Sequence, residues 1–170
     1  SYSSDGPGRS VVGTGWNLAA ASCIERGPAM KTGPDGKPVF RGGVPDFTEN
    51  DVFFLDGSPL LSCPDDTPSC PSGTYRAQTN DFAKVEQFQS KSAWLVTDKD
   101  GSTREYVQLT APLETPDFST ATRFCLNTVS RDGNQIKYNY EYTGGYHHRL
   151  KDIQYGGAEH STRYFSPLRP

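Results

Sequence analysis

The 170-residue sequence lacks the motifs of several large protein classes. It has no GxSxG, no HExxH and no glycine-rich phosphate loop leading into a helix, which are signatures of hydrolases, zinc proteases and nucleotide-binding enzymes. The longest apolar runs, such as 52–55, are far too short to cross a bilayer. We therefore expect that the protein is not an enzyme, holds no cofactor and does not insert directly into a membrane.

Basic charge is also scarce. The net charge is −3 and no run of basic residues is present, which argues against a nucleic-acid partner. The sequence starts at Ser1 rather than at Met, and its first residues resemble the interior of a strand, so we expect an excerpt of a longer protein.

Turn-forming and aromatic residues dominate what remains. Hydrophobic residues make up only 34% of the chain, whereas it holds 17 Gly, 13 Pro, nine Tyr and nine Phe. Such a chain can fold if short strands alternate with many reversals and large aromatic side chains fill the core. We predict a single all-β domain over residues 1–170. Its antiparallel hairpins and meander, with little helix, would form part of a larger β-sheet shell or a sandwich-like domain.

The clearest strand pattern lies between residues 126 and 155. Apolar and polar side chains alternate there with the two-residue period of a half-buried strand. Asp132-Gly133 supplies the positive φ angles of a tight hairpin, and Gly144-Gly145 gives a second reversal before a third strand. The alternating apolar residues of the middle strand are Ile136, Tyr138, Tyr140 and Tyr142.

A similar unit precedes this meander. Aligning 94–101 with 126–133 places Gly101 on Gly133 and Tyr106 on Tyr138, an offset of 32 residues that indicates a repeated supersecondary unit. Between the units, segment 111–120 contains two prolines and little to bury, so we interpret it as a linker. Another Asp-Gly turn, at Gly57, predicts a hairpin over 51–61.

The four cysteines are interpreted first as disulfides. Cys63 and Cys70 bracket a polar, proline-rich loop that a local bond would hold, and Cys23 with Cys125 would form the long bond. A zinc site and free cytosolic thiols are the alternatives. Neither pair has the CxxC spacing of a zinc site, and no histidine lies within ten residues of a cysteine.

Other metal-binding patterns are weak. Asp46, Glu49, Asp51 and Asp56 match no EF-hand spacing, and acidic turns at a strand edge explain them as well as calcium does. His147 and His148 are adjacent, so on a strand they would point to opposite faces and could not easily share one ion. We predict no metal site.

The N-terminal part contains one prominent tryptophan. Gly13 and Gly15 let the backbone approach closely, and Trp16 follows them. A packed loop with a core tryptophan and a ligand-stacking tryptophan are both open interpretations.

An ordered set of motifs runs along the chain. It comprises GTGWNL at 13–18, DVFFLDG at 51–57 with Asp51, Phe53 and Leu55, WLVTDKDG at 94–101 beginning with Trp94, and RDGNQIKYNY at 131–140. Together they resemble the SpvB-type N-terminal domain of the B components of insecticidal Tc toxin complexes, over nearly the whole chain.

The resemblance implies a non-catalytic structural module. In that family, the region together with RHS/YD-type repeats builds a β-rich cocoon that encloses and delivers a toxic polypeptide. The expected partners are other segments of the same toxin polypeptide and subunits of its toxin complex. The cysteines indicate a secreted or cell-surface protein. The alternative is a stand-alone secreted module that binds carbohydrate or protein through exposed Tyr and Trp.

Overall fold

The computed structural model describes residues 9–10, 13–14, 22–34, 38–39, 43–63, 71, 73–77, 80–144, 147–156 and 163–165. Regular structure in these residues is almost entirely β-strand, with one 3₁₀ turn at Gln89–Lys91. The predicted all-β fold with antiparallel hairpins, a meander and little helix is therefore confirmed. None of the described residues belongs to a helix with the length and apolar character needed to span a bilayer.

The strands follow the chain in this order: β1 Arg9–Ser10, β2 Gly13–Thr14, β3 Cys23–Gly27, β4 Lys31–Thr32, β5 Pro38–Val39, β6 Val52–Leu55, β7 Ser58–Ser62, β8 Thr74–Ala77, β9 Asn80–Phe88, β10 Ala93–Thr97, β11 Thr103–Gln108, β12 Arg123–Arg131, β13 Asn134–Gly144, β14 His147–Gly156 and β15 Arg163–Phe165. The pairs β1–β2 and β4–β5 form small separate ribbons.

Eight strands close into a barrel. Each of β3, β6, β7, β8, β9, β10, β11 and β12 pairs antiparallel with the next, and β12 pairs back onto β3. Closure pairs the backbone N–H and C=O groups that an open sheet would leave without hydrogen-bond partners at its two edges. The hydrophobic pattern of the sequence does not distinguish this closed barrel from an open sheet, because both bury one face of every strand.

The remaining strands leave the barrel as a branch. Strand β12 is long: its residues 123–125 pair with β3, and its residues 128–131 pair with β13. Strands β14 and β15 continue from β13 as the predicted meander. The same edge of β12 thus closes the barrel at one end and carries the branch at the other.

Tight turns connect the hairpins where the Asp-Gly pairs predict them. Asp56 and Gly57 have φ angles of 50° and 82° between β6 and β7, and Asp132 and Gly133 have 49° and 78° between β12 and β13. Two consecutive positive φ angles define the type I′ turn, whose twist matches that of paired strands. Gly101, with φ 81°, ends a longer loop between β10 and β11.

Trp94 lies at the centre of the barrel core. Its side chain is fully buried, and its ring centroid lies 4.8 Å from that of Phe53, 5.8 Å from that of Phe118 and 6.1 Å from that of Phe124. Tyr75 contacts it edge-on at 5.2 Å. Aromatic rings at these separations and tilts bury a large apolar area, so a small number of aromatic side chains is enough to fill the barrel core.

The segment 111–120 differs from the prediction. It does connect the two hairpin units, but β11 and β12 pair directly, and Phe118 in this segment is only 8% exposed. Its ring packs on those of Phe53, Trp94 and Phe124. The interpretation of a linker with little to bury is therefore wrong: the segment is a loop that inserts an aromatic side chain into the barrel.

Candidate functional site

The barrel is sealed by a disulfide bond. Cys23 on β3 and Cys125 on β12 are directly opposite each other, with their Cα atoms 4.2 Å apart, and are bonded as predicted. The bond joins the first and last strands of the barrel across 102 positions of sequence. Cys63 is also disulfide-bonded and buried. Cys70 lies outside the described residues, so the Cys63–Cys70 pairing stays a prediction.

The Asp56 turn holds the end of β3 beside this bond. The main-chain N–H of Asp56 donates to the carbonyl of Cys23 (3.1 Å), and its carboxylate accepts from the N–H of Cys23 (3.0 Å). The hydroxyl of Ser22 donates to the same carboxylate (2.8 Å). Both main-chain polar groups of Cys23 are therefore fixed by one residue of the β6–β7 turn.

A polar network continues from Ser22 into the barrel. The Ser22 and Tyr106 hydroxyls share a hydrogen bond of 2.9 Å, and Arg104 donates to the Tyr106 hydroxyl (3.3 Å). Arg104 also makes two hydrogen bonds to the Asp98 carboxylate, of 3.0 and 2.8 Å. Burial raises the pKa of Tyr106, while its hydrogen bonds act in the opposite direction. The network therefore links the start of β3 to the end of β10 and to β11.

A buried ion pair stabilises the opposite part of the barrel. Arg26 Nε lies 2.9 Å from Asp51 Oδ2, and their side chains are 7% and 0% exposed. The Arg26 guanidinium donates to the carbonyl of Ser119 (2.8 Å) and lies 5.3 Å from the ring centroid of Phe47 and 5.2 Å from that of Phe53. Removing either charge would leave the other buried and unpaired.

This ion pair corrects the interpretation of the acidic segment. Asp51 is not part of a solvent-facing acidic edge, because its carboxylate is buried against Arg26 and also accepts the N–H of Asp46 (3.1 Å). Within the part of the chain that the structure describes, no group of three or more His, Cys, Asp or Glu side chains is placed to hold a metal ion.

A cleft lies between the 109–122 loop and the branch. We call it the branch cleft; its volume is about 910 Å³. The lining residues that bear on its chemistry are the two bonded cysteines, Glu114, Arg123, Tyr140 and His148. His148 Nε2–H donates to the carbonyl of Thr110 (2.9 Å) and so ties the loop to β14.

Tyr140 is one of the residues that line the branch cleft. Its hydroxyl donates to the carbonyl of Leu126 (2.8 Å), at the point where β12 passes from β3 to β13. Burial, followed by the neighbouring Tyr138 hydroxyl, raises the pKa of Tyr140 to about 12. Elsewhere on the branch, Arg149 is paired with Glu141.

The residues singled out from sequence have mainly architectural positions. Phe53, Leu55 and Trp94 belong to the core; Gly57, Gly101 and Gly133 occupy turns at positive φ; Tyr138 is 7% exposed and Tyr140 is half-buried. Gly13 belongs to β2, whereas Gly15 and Trp16 lie outside the described residues. The predicted residues that the structure brings together at the cleft are Cys23, Cys125 and Tyr140.

Sequence reasoning missed the polar residues that hold the ends of the barrel strands and the 109–122 loop. Ser22, Arg104 and Gln108 carry no motif, and Asp56 is predicted as part of an Asp-Gly turn and of an acidic segment but not as the residue that holds Cys23. Phe118 had a recognisable signal, because an aromatic residue in a proline-rich polar segment needs an apolar contact.

Comparisons with known proteins give a likeness of fold. No family model matches the sequence, and no curated protein matches it. A chain of the solved structure named "Crystal Structure of TcdB2-TccC3-Cdc42" superposes with a TM-score of 0.59 over 94% of this chain, at 18% identity. This chain spans 9% of the length of that chain. At this level of identity the likeness establishes a shared fold.

Proposed function

We propose that this chain is a non-catalytic structural module of a Tc-toxin-like assembly. In this role it forms part of a β-rich wall that encloses and delivers a toxic polypeptide, as in SpvB-type domains associated with RHS/YD repeats. The observation that carries the proposal is the fold likeness to a chain of the TcdB2-TccC3-Cdc42 structure, which covers 94% of this chain. The likeness supports a structural role because it extends over nearly the whole chain and is not confined to one pocket.

The internal polar contacts also support a wall element. The carboxylate of Asp56 holds the main chain of Cys23, and the ion pair of Arg26 with Asp51 is enclosed beside Phe53. These groups are engaged by neighbours within the chain, which stiffens the barrel. Rigidity of this kind suits a wall that must keep its shape around another polypeptide.

The proposed partners follow from the same role. They are other segments of the same polypeptide and the subunits of its toxin complex. The Cys23–Cys125 bond supports a secreted or cell-surface location, because structural disulfides persist in oxidising compartments.

The test is whether the complete natural polypeptide encloses a second polypeptide. We expect electron microscopy to show a hollow particle containing this barrel in its wall. We also expect an enclosed segment to resist protease until the particle is opened by denaturant. A compact particle that protects no segment would contradict the wall role. Separately, turnover of hydrolase or transferase substrates by the purified chain, in proportion to its concentration, would contradict the non-catalytic assignment.

The alternative, a binding module that stacks sugars on tryptophan, has less support. Trp94 is fully buried in the core and cannot present a face to a glycan. Trp16 lies outside the described residues. Calorimetric titration with glycans is expected to give no heat of binding to the chain.

A further inference from the structure

A strained turn lies at the tip of the 109–122 loop. The N–H of Glu114 donates to the carbonyl of Ala111 (3.1 Å), which closes a four-residue turn with Pro112 second and Leu113 third. Leu113 has a φ of 75°. Proline followed by a residue at positive φ defines a type II turn, and its third position strongly favours glycine. A leucine there is held in a backbone conformation that L-residues disfavour.

The side chain of Leu113 gains no burial within the described chain. Its relative exposure is 106%, the highest among the exposed large hydrophobic residues of the described ranges. Leu113 therefore combines an unfavourable backbone conformation with an apolar side chain in water. Strain of this kind is concentrated at sites of interaction, where a partner makes use of the position that it imposes.

The base of the turn is rigid. The Glu114 carboxylate accepts the N–H of Ala111 (3.2 Å), and His148 donates to the Thr110 carbonyl (2.9 Å). On the other side, the Asp117 N–H donates to the side chain of Gln108 (2.7 Å), and the next residue, Phe118, is buried in the barrel. Because both ends are tied down, the backbone at Leu113 is held in place before a partner binds, which lowers the entropy cost of docking.

We propose that Leu113 is the anchor of a docking contact, and that it inserts into an apolar pocket on another segment of the same polypeptide. This proposal rests on the proposed function, in which the barrel is one part of a longer wall. The matched fold is itself only 9% of a longer chain, which favours an occupant from the same polypeptide.

The charge around the tip specifies the pocket further. Residues 109–122 include Glu114 and Asp117 and contain no Lys, Arg or His. A pocket rimmed by basic side chains or by N–H donors therefore complements the tip. A second copy of this chain is a poorer match, because its own net charge is −3.

The first experiment measures how accessible position 113 is. The variant Leu113→Cys is labelled with a water-soluble maleimide, both in the 170-residue chain and in the complete natural polypeptide. We expect labelling to be at least ten-fold slower in the complete polypeptide. Lys99→Cys, on the exposed β10–β11 loop, is labelled in parallel to normalise the two samples. Equal normalised rates would overturn the proposal.

The second experiment separates docking from folding. Leu113→Asn and Leu113→Gly suit a positive φ but remove the apolar side chain, whereas Leu113→Met keeps it. We expect Asn and Gly to lower the thermal midpoint of the complete polypeptide by several degrees and to leave that of the 170-residue chain unchanged or higher. Met is expected to preserve the midpoint of the complete polypeptide. Equal losses in both proteins would mean that Leu113 acts only within the barrel, and would overturn docking.

The outcomes also separate this inference from the proposed function. A hollow particle that protects its contents while Leu113→Cys labels freely would refute the anchor alone. A polypeptide that encloses nothing would refute the wall role, whatever the labelling rate. Protection within the 170-residue chain that grows with protein concentration would assign the tip to a second copy and refute the proposed occupant.

Discussion

The β10–β11 and β12–β13 hairpins share one sequence pattern but have different structures. In the first, Trp94 and Tyr106 are direct partners and both are fully buried. The 32-residue offset would pair Leu126 with Tyr138 in the second hairpin. The observed pairing of Thr128 with Lys137 is one residue away from that register.

Loop length causes this difference. Asp98 and Ser102 are hydrogen-bonded (2.9 Å) around a three-residue loop, whereas Arg131 pairs with Asn134 around a two-residue loop. Side chains alternate between the faces of a strand, so a shift of one residue would by itself reverse the face.

A β-bulge in β12 offsets this shift, because Tyr106 pairs with Leu126 whereas Glu105 pairs with Thr128, which makes Asn127 an extra residue. Val129 therefore lies on the face of Leu126 and Tyr106, and its partner Ile136 brings Tyr138 to that face, where Tyr138 belongs to the same core cluster as Trp94. An Asp-Gly pair predicts that the chain reverses, but the buried face depends on loop length and on bulges elsewhere in the strands.

The two hairpins differ in their place in the fold, because β13 leaves the barrel. Burial decreases along β13, from 7% exposure at Tyr138 to 39% at Tyr142. Both strands of the β10–β11 hairpin belong to the barrel, so this hairpin should dominate the stability. In the β12–β13 hairpin only β12 belongs to the barrel, and the exposed end of β13 should tolerate change.

Replacing Trp94 gives the largest expected effect on this comparison. Trp94→Ala removes the ring that contacts Phe53, Phe118 and Phe124, and we expect a loss of about 4 kcal/mol in the free energy of unfolding. Tyr142→Ala, on the branch, is the control: the residue is 39% exposed and its ring contacts that of His148, so we expect a loss of about 1 kcal/mol or less. Urea denaturation of both variants measures the difference. Similar losses in the two variants would mean that the hairpins contribute equally.

The disulfide at the base of the branch gives the next effect. In the double variant Cys23→Ala/Cys125→Ala, the unfolded chain regains the freedom that a 102-residue separation had lost, and we expect a loss of about 3 kcal/mol. Substitution is preferable to a reductant because Cys63 is also disulfide-bonded.

The bonds from Asp56 to Cys23 remain in that double variant. Hydrogen exchange should therefore report a closed barrel of lower stability, with unchanged pairing between β12 and β13. An unfolding free energy equal to that of the wild type would show that the disulfide is not needed to hold β3 against β12.

Alkaline pH tests the contribution of Tyr140, which lies on the branch. The pKa of Tyr140 is about 12 in the folded chain and lies near 10 when unfolded. Between these values the folded state binds more protons, so stability is complete below pH 10 and falls as pH rises toward 12. At about 1.4 kcal/mol per pKa unit, the shift corresponds to about 3 kcal/mol, and because Tyr140 is only half-buried, solvent screening reduces the expected loss to on the order of 2 kcal/mol.

Tyrosinate absorbance and urea denaturation between pH 9 and 12 would measure this effect. Tyr140→Phe removes the ionisable hydroxyl, so the free energy of unfolding should fall less steeply between about pH 10 and 12. The variant also loses the hydrogen bond to the carbonyl of Leu126. Burial also raises the pKa of Tyr75, Tyr106 and Tyr138, so a smaller decline should persist in that variant. An identical decline in wild type and variant would contradict the role of Tyr140.

Much of the fold could be predicted from local patterns. Alternation and Asp-Gly pairs located the strands around Trp94 and Tyr138, because period and turn chemistry are properties of a few adjacent residues. Barrel closure was not predictable in this way. It depends on the pairing of β3 with β12, which are 102 residues apart at the two cysteines. The predicted Cys23–Cys125 disulfide is the one sign of this contact in the sequence analysis.

The polar contacts were hidden for a related reason. Asp51 resembled its acidic neighbours, since its partner Arg26 lies on another strand and no local spacing records the pair. Leu113 likewise appeared to be an ordinary residue of a loop. Its positive φ follows from a turn that is fixed by Glu114 and Phe118, and only the folded chain shows it.

The turn glycines give the smallest effect and test whether loop length alone separates the hairpins. Gly101 and Gly133 have φ angles of 81° and 78°, and a Cβ at either would meet no atom within 4 Å. Alanine at either position should therefore cost only backbone strain, about 1 kcal/mol in each hairpin. Asp132→Gly is the control: it relieves a residue at φ 49° and should be neutral or slightly stabilising. Urea denaturation of the three variants would decide. If Gly133→Ala cost much more than Gly101→Ala, the two-residue turn would also hold the branch in place, and loop length would not be its only contribution.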